Sequence, residues 1–312
     1  MTRAAGGALL VVGDVVTDVV ARHRGPLAAG TDTAAAIRTV PGGAGANVAC
    51  WAAHRGCRDV ALLGRVGAES ARWHEDALLR AGVRPRLVVD AEAVTGAVIC
   101  LVDAENGAER TFLTDSGASL RIGPGDWSAS YLDAVGWLHL SGYLFFSATG
   151  RELVAVALRD ARARGVPVSV DPASAGFLRG LGAGRFLALA DGVDVLVPSR
   201  DEAVLLGGAD GASARDEVED AAAKLSGRFP VVVVKAGAAG AVVARGGVVR
   251  ERAAAVPGVV VRDSTGAGDA FTGALVAARL RGDAWREAAA EGCLAGAEAV
   301  GLVGGRPGGE TG

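Results

Sequence analysis

From Asp263 the chain reads Asp-Ser-Thr-Gly-Ala-Gly-Asp-Ala-Phe-Thr-Gly-Ala274, a glycine-rich turn leading into small and apolar residues with a carboxylate, Asp269, at the join. The segment Asp269 to Leu280 stays small and apolar until Gly282, so it reads as a buried helix with Asp269 in its first turn. The free N–H groups and the dipole of such a helix start favour an anion above Gly266, Ala267 and Gly268. Phosphate fits that description, with Asp269 beside it as a base. Asp is also a favoured N-cap, and glycine turns precede many helices for steric reasons alone, so other residues must decide.

A second glycine cluster, Pro41-Gly-Gly-Ala-Gly-Ala-Asn-Val-Ala49, again leads into an apolar run, Val48 to His54. Gly42, Gly43 and Gly45 let backbone approach a ligand closely, and Asn47 carries both a donor and an acceptor for sugar hydroxyls. The chain has only two Asn, at 47 and 106, and no Gln, so an amide kept here points to a task. Asp14 and Asp18 follow the first apolar run, at the strand end where open α/β sheets bind ligands, and carboxylates accept hydroxyl hydrogen bonds well. Asp14 reads equally as a turn residue holding local amides.

Taken whole, Asp263 to Phe271 resembles the C-terminal signature of the ribokinase-like carbohydrate kinases, the PfkB family, whose usual form is Asp-Thr-Thr-Gly-Ala-Gly-Asp-Ala-Phe; only Ser264 departs. Pro41 to Ala49 is similar to the N-terminal signature, with Ala44 where its best-known form carries Lys. The resemblance runs from about Leu9 to Val303. It implies that Asp269 takes the proton of a sugar hydroxyl attacking the γ-phosphate of ATP, while the Gly266-Ala267-Gly268 amides hold the developing charge. A helix N-terminus is expected to keep the Asp269 pKa low. Asp18 matches the position that binds sugar hydroxyls, with Gly42, Gly43, Asn47 and Asp14 as its neighbours.

Lys235-Ala-Gly-Ala-Ala-Gly240 resembles the family's nucleotide-side loop, which makes Gly237, Gly240 and Lys235 nucleotide-binding candidates. Lys235 reads either as a point charge for a phosphate or as a solvated strand-end lysine. Where the family has Asn-x-x-Glu, arranging magnesium through water, this chain has Ser199-x-x-Glu202. That string also spells a helix capping box, so Glu202 reads as metal organiser or as cap, and Ser199 as an altered nucleotide-side position. Carbonyls around Asp263 and Thr265, with those of Gly301 to Gly305, correspond to the family's monovalent-cation site and imply potassium.

The elements that must position these residues alternate along the chain. Short apolar runs at Leu9–Val12, Val60–Leu63, Trp137–Leu140, Val166–Val170, Val193–Val197 and Val231–Val234 alternate with helix-compatible stretches at Glu69–Ala81, Glu152–Arg164 and Ala214–Ser226. Continuously apolar strands between helices predict a mostly parallel sheet covered on both faces. Two segments, about 15–40 and 87–114, break the rhythm with alternating pieces such as Thr95–Val102 and Arg110–Leu113. They predict a small antiparallel lid. The family resemblance implies the matching fold: an α/β, ribokinase-like three-layer sandwich in one domain, with a β-sheet lid over the sugar often used for dimerisation. Gly304 to Gly312 reads as a loose tail.

At 312 residues, half of them apolar, the chain has material for a sizeable core. A net charge of −3 without a basic cluster gives no footprint for nucleic acid, and the longest apolar runs are too short to span a bilayer. A small-molecule partner is expected. Cys50, Cys57, Cys100 and Cys293 show no C-x-x-C spacing, and with no cleavable leader at the start a cytoplasmic protein is expected. His23, His54, His74 and His139 have no metal-ligand spacing.

No G-x-x-x-x-G-K-[ST] occurs, and the first strand runs into Gly13-Asp14 without a dinucleotide loop, which excludes a P-loop nucleotidase and a Rossmann dehydrogenase. The reading is an ATP- and magnesium-dependent kinase of a small sugar or sugar acid of ribose, fructose or 2-keto-3-deoxygluconate type. A nucleoside kinase of the same fold is the alternative, disfavoured because the lid offers Phe112 and few other rings for a base. A catalytically silent binding protein is a third reading, resting on Ser199.

Overall fold

Alternate residues of a strand point to opposite faces, and in β1, Ala8–Val12, both sets are apolar. Leu10 and Val12 enter one buried cluster, Leu9 and Val11 another. A strand buried on both sides needs a helical layer on each, and the computed structural model, which describes residues 7–103, 109–208 and 213–308, has that architecture.

The central sheet has nine strands in the order β13-β12-β11-β10-β9-β8-β1-β4-β5. Its parallel part comprises β1, β4 (Val60–Gly67), β5 (Val83–Asp90), β8 (Val135–Ser141), β9 (Val168–Asp171), β10 (Val195–Leu196) and β11 (Val231–Lys235). A hairpin, β12 (Ala241–Arg245) and β13 (Val248–Ala253), adds two antiparallel strands at one edge. The Leu10 face is covered by α3 (Ala148–Arg164), α4 (Ala175–Leu181), α5 (Ala183–Leu189), α6 (Arg200–Gly207) and α7 (Ala214–Ser226). The Leu9 face is covered by α1 (Ala44–His54), α2 (Ala71–Arg80), α8 (Ala267–Arg281) and α9 (Trp285–Ala299). α8 is buried from Ala270 to Ala278 and packs so close to α1 that a Cβ on Gly273 would lie 2.6 Å from the Val48 carbonyl oxygen.

A separate sheet of four strands stands at one end, in the order β3-β2-β6-β7: β2 (Val16–His23), β3 (Ala35–Gly42), β6 (Thr95–Asp103) and β7 (Glu109–Gly117). β3 and β7 pair antiparallel to their neighbours, but β2 and β6 run parallel, because they come from separate insertions that leave the main sheet in the same sense. The register puts Asp18, Val98 and Thr114 on one face, with Val20, Cys100 and Phe112 alongside, and Val19, Ile99 and Leu113 on the other.

Residues 87–90, expected in the lid, instead lie in β5, which pairs with β4 along its whole length. Polar and half-buried residues of an edge strand, Arg84 and Arg86 among them, imitate a lid pattern. Helices α4, α5 and α9 and the β12–β13 hairpin had no counterpart in the expected order of elements.

Candidate active site

The carboxyl ends of the parallel strands, where such sheets bind ligands, meet the inner face of the lid around a cleft of about 1180 Å3. Asp269 sits within it. α8 begins after Gly266, which has a φ of 73° and whose Cβ, if present, would lie 2.5 Å from Gly305 Cα. The Ala267 N–H turns back to the Ser264 carbonyl, leaving the amides of Gly268 and Asp269 without a backbone acceptor among the described residues. Gly266 and Gly268 line the cleft and Ala267 does not. An anion placed here would meet the turn itself and the amides of residues 268 and 269.

Burial pushes the Asp269 carboxyl up to about 7, with Asp171 adding to the rise while Asn47 and Lys235 oppose it. The low pKa expected from the helix N-terminus is not what the site produces, because desolvation outweighs the dipole. A carboxylate poised near neutrality is the better proton acceptor. Asn47 Nδ2 donates to Asp269 Oδ2 at 2.9 Å, and Asn47 Oδ1 accepts from Arg306 Nε at 3.4 Å. Asn47 lines the cleft, but with both ends of its amide held by protein its visible work is to orient Asp269.

Arg306 was invisible in the sequence, where one more Arg among basic residues that are almost all Arg carries no signal. Its Nη2 donates to the Gly42 carbonyl at 2.9 Å, and its Nη1 is buried without a partner. Gly304 N–H donates to Asp263 Oδ2 at 3.0 Å, and Trp51 Nε1 donates to the Gly305 carbonyl at 2.9 Å. The segment Gly304 to Arg306, expected to be loose, is thus built into the site; residues 309–312 lie outside the described residues.

On the nucleotide side, Lys235 Nζ lies 2.5 Å from Asp171 Oδ2, which also accepts from Thr272 Oγ1 at 2.8 Å. Burial works against the lysine's charge, but Asp171 and Glu202 outweigh it and hold the ammonium above its usual range. Lys235 is therefore neither solvated nor free. It lines the cleft, with Nζ 3.2 Å from where a Cβ of Gly268 would be, directly beside the anion hole. Asp171 thereby gains a role that its position in the sequence did not disclose.

Ser199 caps α6 reciprocally: its N–H donates to Glu202 Oε2 at 2.7 Å, and its Oγ accepts from the Glu202 N–H at 3.4 Å. Glu202 is buried, which pushes its carboxyl up, and it lines the cleft with Oε1 free of any protein hydrogen bond among the described residues. Among those residues, no group of three or more His, Cys, Asp or Glu could hold a metal ion by itself. Gly237 lines the cleft. Gly240 does not; with a φ of 87° and the Ala253 carbonyl 2.1 Å from its would-be Cβ, it serves the turn into β12.

Asp263 accepts from Thr265 N–H at 2.8 Å as well as from Gly304, while Thr265 Oγ1 is buried without a partner. That orphaned hydroxyl, on the loop that faces residues 300–305, is the kind of oxygen a bound cation would satisfy.

At the acceptor end the two aspartates differ. Asp14 is braced: its oxygens accept from Ala44 N–H at 2.7 Å, Gly45 N–H at 3.2 Å and Ser141 Oγ at 2.8 Å. Asp18 lies over Gly42, where a Cβ would come within 2.2 Å of its Oδ2, so Gly42 makes room for the carboxylate rather than lining the cleft. Burial pushes Asp18 up to about 7, with the Arg306 guanidinium opposing the shift. Gly43 lines the cleft beside it. Tyr143, Phe146 and Phe177 also line the cleft and lie outside the lid, where aromatic residues had been sought.

His74 and His139 are buried, and burial lowers both to about 4; His23 bonds the Gly25 carbonyl and His54 pairs with Glu298.

A family model for pfkB family carbohydrate kinases matches residues 8–311. A fructokinase of Klebsiella pneumoniae is 30% identical over 282 residues, spanning 87% of this chain and 84% of the relative. Adenosine kinase from Sinorhizobium meliloti has a similar structure, with a TM-score of 0.84 at 22% identity over 96% of each chain. So has an E. coli protein of ribokinase II type solved with ATP and Mg2+, with a TM-score of 0.81 at 22% identity over 97% of this chain and 96% of that one. With a family model matching nearly the whole chain and a relative 30% identical, the chain belongs to the PfkB family of carbohydrate kinases, phosphotransferases whose acceptor is an alcohol group.

Proposed function

We propose that the chain transfers the γ-phosphate of ATP to a primary hydroxyl of a sugar ring. The observation that carries this reading is the placement of Asp269, raised to about 7 and aimed by Asn47, at the open amides of α8 in the cleft that Asp18 also lines. Asp18, with Gly43 at its side, is the group for the acceptor's hydroxyls. Asp269 takes the proton of the attacking hydroxyl, and the first turn of α8 with Lys235 receives the negative charge of the phosphoryl group. Phosphoryl transfer depends on positioning and charge neutralisation more than on deep deprotonation, and both are provided here by parts fixed before any ligand arrives.

Magnesium fits as a partner of the nucleotide's phosphates, with Glu202 Oε1 reaching it through water, since the protein offers no cage of its own. It supplies charge neutralisation between the phosphates when bound. The capping box supports the reading that Ser199 can replace an amide there without unmaking the helix that presents Glu202. Potassium fits between the orphaned Thr265 hydroxyl and the carbonyls near Gly301 to Gly305. The four free thiols support a reducing compartment, the cytoplasm, and no helix among the described residues is long and apolar enough to cross a membrane. Ile37, Ile99 and Leu113 expose 65%, 38% and 55% of their surface on the outer face of the lid, which supports pairing with a second copy through that face.

The relative named fructokinase supports a free sugar as acceptor; the three rings outside the lid favour a nucleoside. Magnesium-dependent ADP release from the wild type and Asp269→Ala, over ribose, fructose, 2-keto-3-deoxygluconate, adenosine and pseudouridine with and without potassium, tests the reading. Turnover lost in the variant is the expected result; ATP binding without turnover on any acceptor would leave the silent binder standing.

A further inference from the structure

Part of the cleft is lined by aromatic rings, a composition at odds with a free sugar. Tyr143 and Phe146 lie on the turn that follows β8, and Phe177 lies on α4. Their rings form one cluster: Tyr143 meets Phe146 at 6.0 Å and Phe177 at 5.6 Å, both edge to face, while Phe146 and Phe177 lie 5.1 Å apart and 32° from parallel. Phe112, on the inner face of the lid, lines the same cleft and is 50% exposed; Phe177 is 39% exposed.

Rings left open to a cleft are unusual unless something apolar covers them. A five- or six-carbon sugar presents hydroxyls all round, and each one pressed against apolar carbon without a partner loses a hydrogen bond to water. Here the strong hydroxyl acceptor, Asp18, and Phe112 stand in neighbouring rows on the inner face of the lid, and the other three rings line the same cleft. A molecule with a hydroxylated ring at one end and a flat unsaturated ring at the other satisfies both, because a planar heterocycle offers π-faces for stacking and apolar contact. Arg151 lines the same cleft, with one donor on the Phe145 carbonyl at 3.0 Å and the rest of its guanidinium available to the edge of such a ring.

We propose that the acceptor is a nucleoside, with its pentose at Asp18 and its base in the slot between Phe112 and the Tyr143–Phe146–Phe177 cluster. The inference rests on the reading of this cleft as a sugar-phosphorylating site and names what the sugar carries. The transfer is the ordinary one. The primary hydroxyl oxygen of the pentose bonds to the γ-phosphorus, its proton passes to Asp269, and the bond from the γ-phosphorus to the bridging oxygen breaks to release ADP.

The test uses the full-length protein with ATP and magnesium, and compares adenosine, cytidine, uridine and pseudouridine with ribose, fructose and 2-keto-3-deoxygluconate. Product is identified by mass, and binding of the corresponding 5′-deoxynucleosides, which have no hydroxyl to phosphorylate, is measured by calorimetry. The expected result is a kcat/KM for at least one nucleoside more than tenfold above that of every free sugar. Phe177→Ala should raise that nucleoside's KM about tenfold with kcat within threefold, and Phe177→Leu, which keeps bulk without a π-face, should fall between. A free sugar turned over as well as the best nucleoside overturns the inference and leaves the kinase intact. A 5′-deoxynucleoside that binds while nothing is phosphorylated upholds the slot and overturns the kinase reading. Neither binding nor turnover overturns both.

Discussion

The two ends of the cleft are built on different plans. The proposed phosphate end is drawn from short contiguous strings: the proposed hole and base lie within Gly266 to Asp269, and Ser199 with Glu202 forms one capping box. The acceptor end is gathered from across the chain, with Asp18 from β2, Phe112 from β7, Tyr143 and Phe146 from the turn after β8, and Phe177 from α4. A phosphate can be held by backbone amides in one turn, so its site can be local. A particular acceptor must be enclosed from several sides, so its site depends on topology. The first end should be indifferent to the acceptor, and the second should discriminate.

Asp269→Asn is the sharpest way to break the phosphate end. The substitution keeps shape and removes the base, so kcat should fall by roughly 10² to 10⁴-fold, as loss of a general base does. The fall should be the same for every acceptor tested, and ATP affinity should be nearly unchanged. A loss confined to one acceptor would mean that Asp269 reads the substrate and would erase the division between the two ends. The fold itself should tolerate the change, since the variant removes a carboxyl that burial already disfavours in its charged form.

Lys235→Met tests whether the nucleotide side is held by the Asp171 pair. The side chains of Lys235 and Asp171 are 12% and 9% exposed, so removing the ammonium leaves a buried carboxylate unpaired. Breaking a buried pair costs about 3–5 kcal/mol, and urea unfolding should show a lower midpoint at an unchanged slope. The double variant Lys235→Met with Asp171→Asn should recover most of the loss. If the single variant is as stable as the wild type, the pair is not what organises this side.

The same contrast governs what could be read from the sequence. The glycine turn, Asp269, Asn47, Asp18 and the alternation of apolar strands with helices were legible because each rests on neighbouring residues and on local rules for turns, caps and periodicity. The end of β5 was misassigned because an edge strand with Pro85 and two arginines carries the polarity of a lid. Arg306 and the ring cluster were not legible as a site, and the end of the expected strand Val166–Val170 placed Asp171 at the cleft edge without giving it a role. Each gains its meaning from a partner far away in the chain: Arg306 from Gly42 and Asn47, Asp171 from Lys235, and Phe177 from Tyr143. The Asp269 pKa was misjudged for a related reason, since the dipole is a local property and burial is not.

A pH profile sharpens the comparison by a smaller amount. Asp269 and Asp18 are both pushed up to about 7, and a protonated Asp269 cannot accept the hydroxyl proton. kcat/KM should therefore be level above neutrality and fall about tenfold per unit below it, more steeply if Asp18 must also be charged. Folding stability should run the other way. A carboxyl raised in the fold contributes most when protonated in both states, so this contribution is complete below the ordinary carboxylate value of 3.8 and is lost as pH rises through about 7. Urea midpoints measured from pH 4 to pH 8 check it, and Asp269→Asn should flatten part of the slope. An activity limb near pH 4 would place Asp269 in a wetter setting than the one described.

Arg306→Met has the smallest expected effect and bears most directly on where the two ends join. Arg306 touches both: it holds Asn47, which aims Asp269, and its charge opposes the rise in the Asp18 pKa. It is a positioning residue, so its loss should lower kcat several-fold rather than abolish it, with ATP affinity unchanged. Two further readouts separate positioning from general damage. Without the guanidinium Asp18 should hold its proton to a higher pH, so the acid limb of kcat/KM should move upward, and Arg306→Lys, which keeps the charge but not the fork, should restore the limb without fully restoring kcat. If Arg306→Met lowers stability and activity together and leaves the limb where it was, the C-terminal segment is only a strap over Trp51 and Asp263, and the two ends of the cleft are coupled through Asn47 alone.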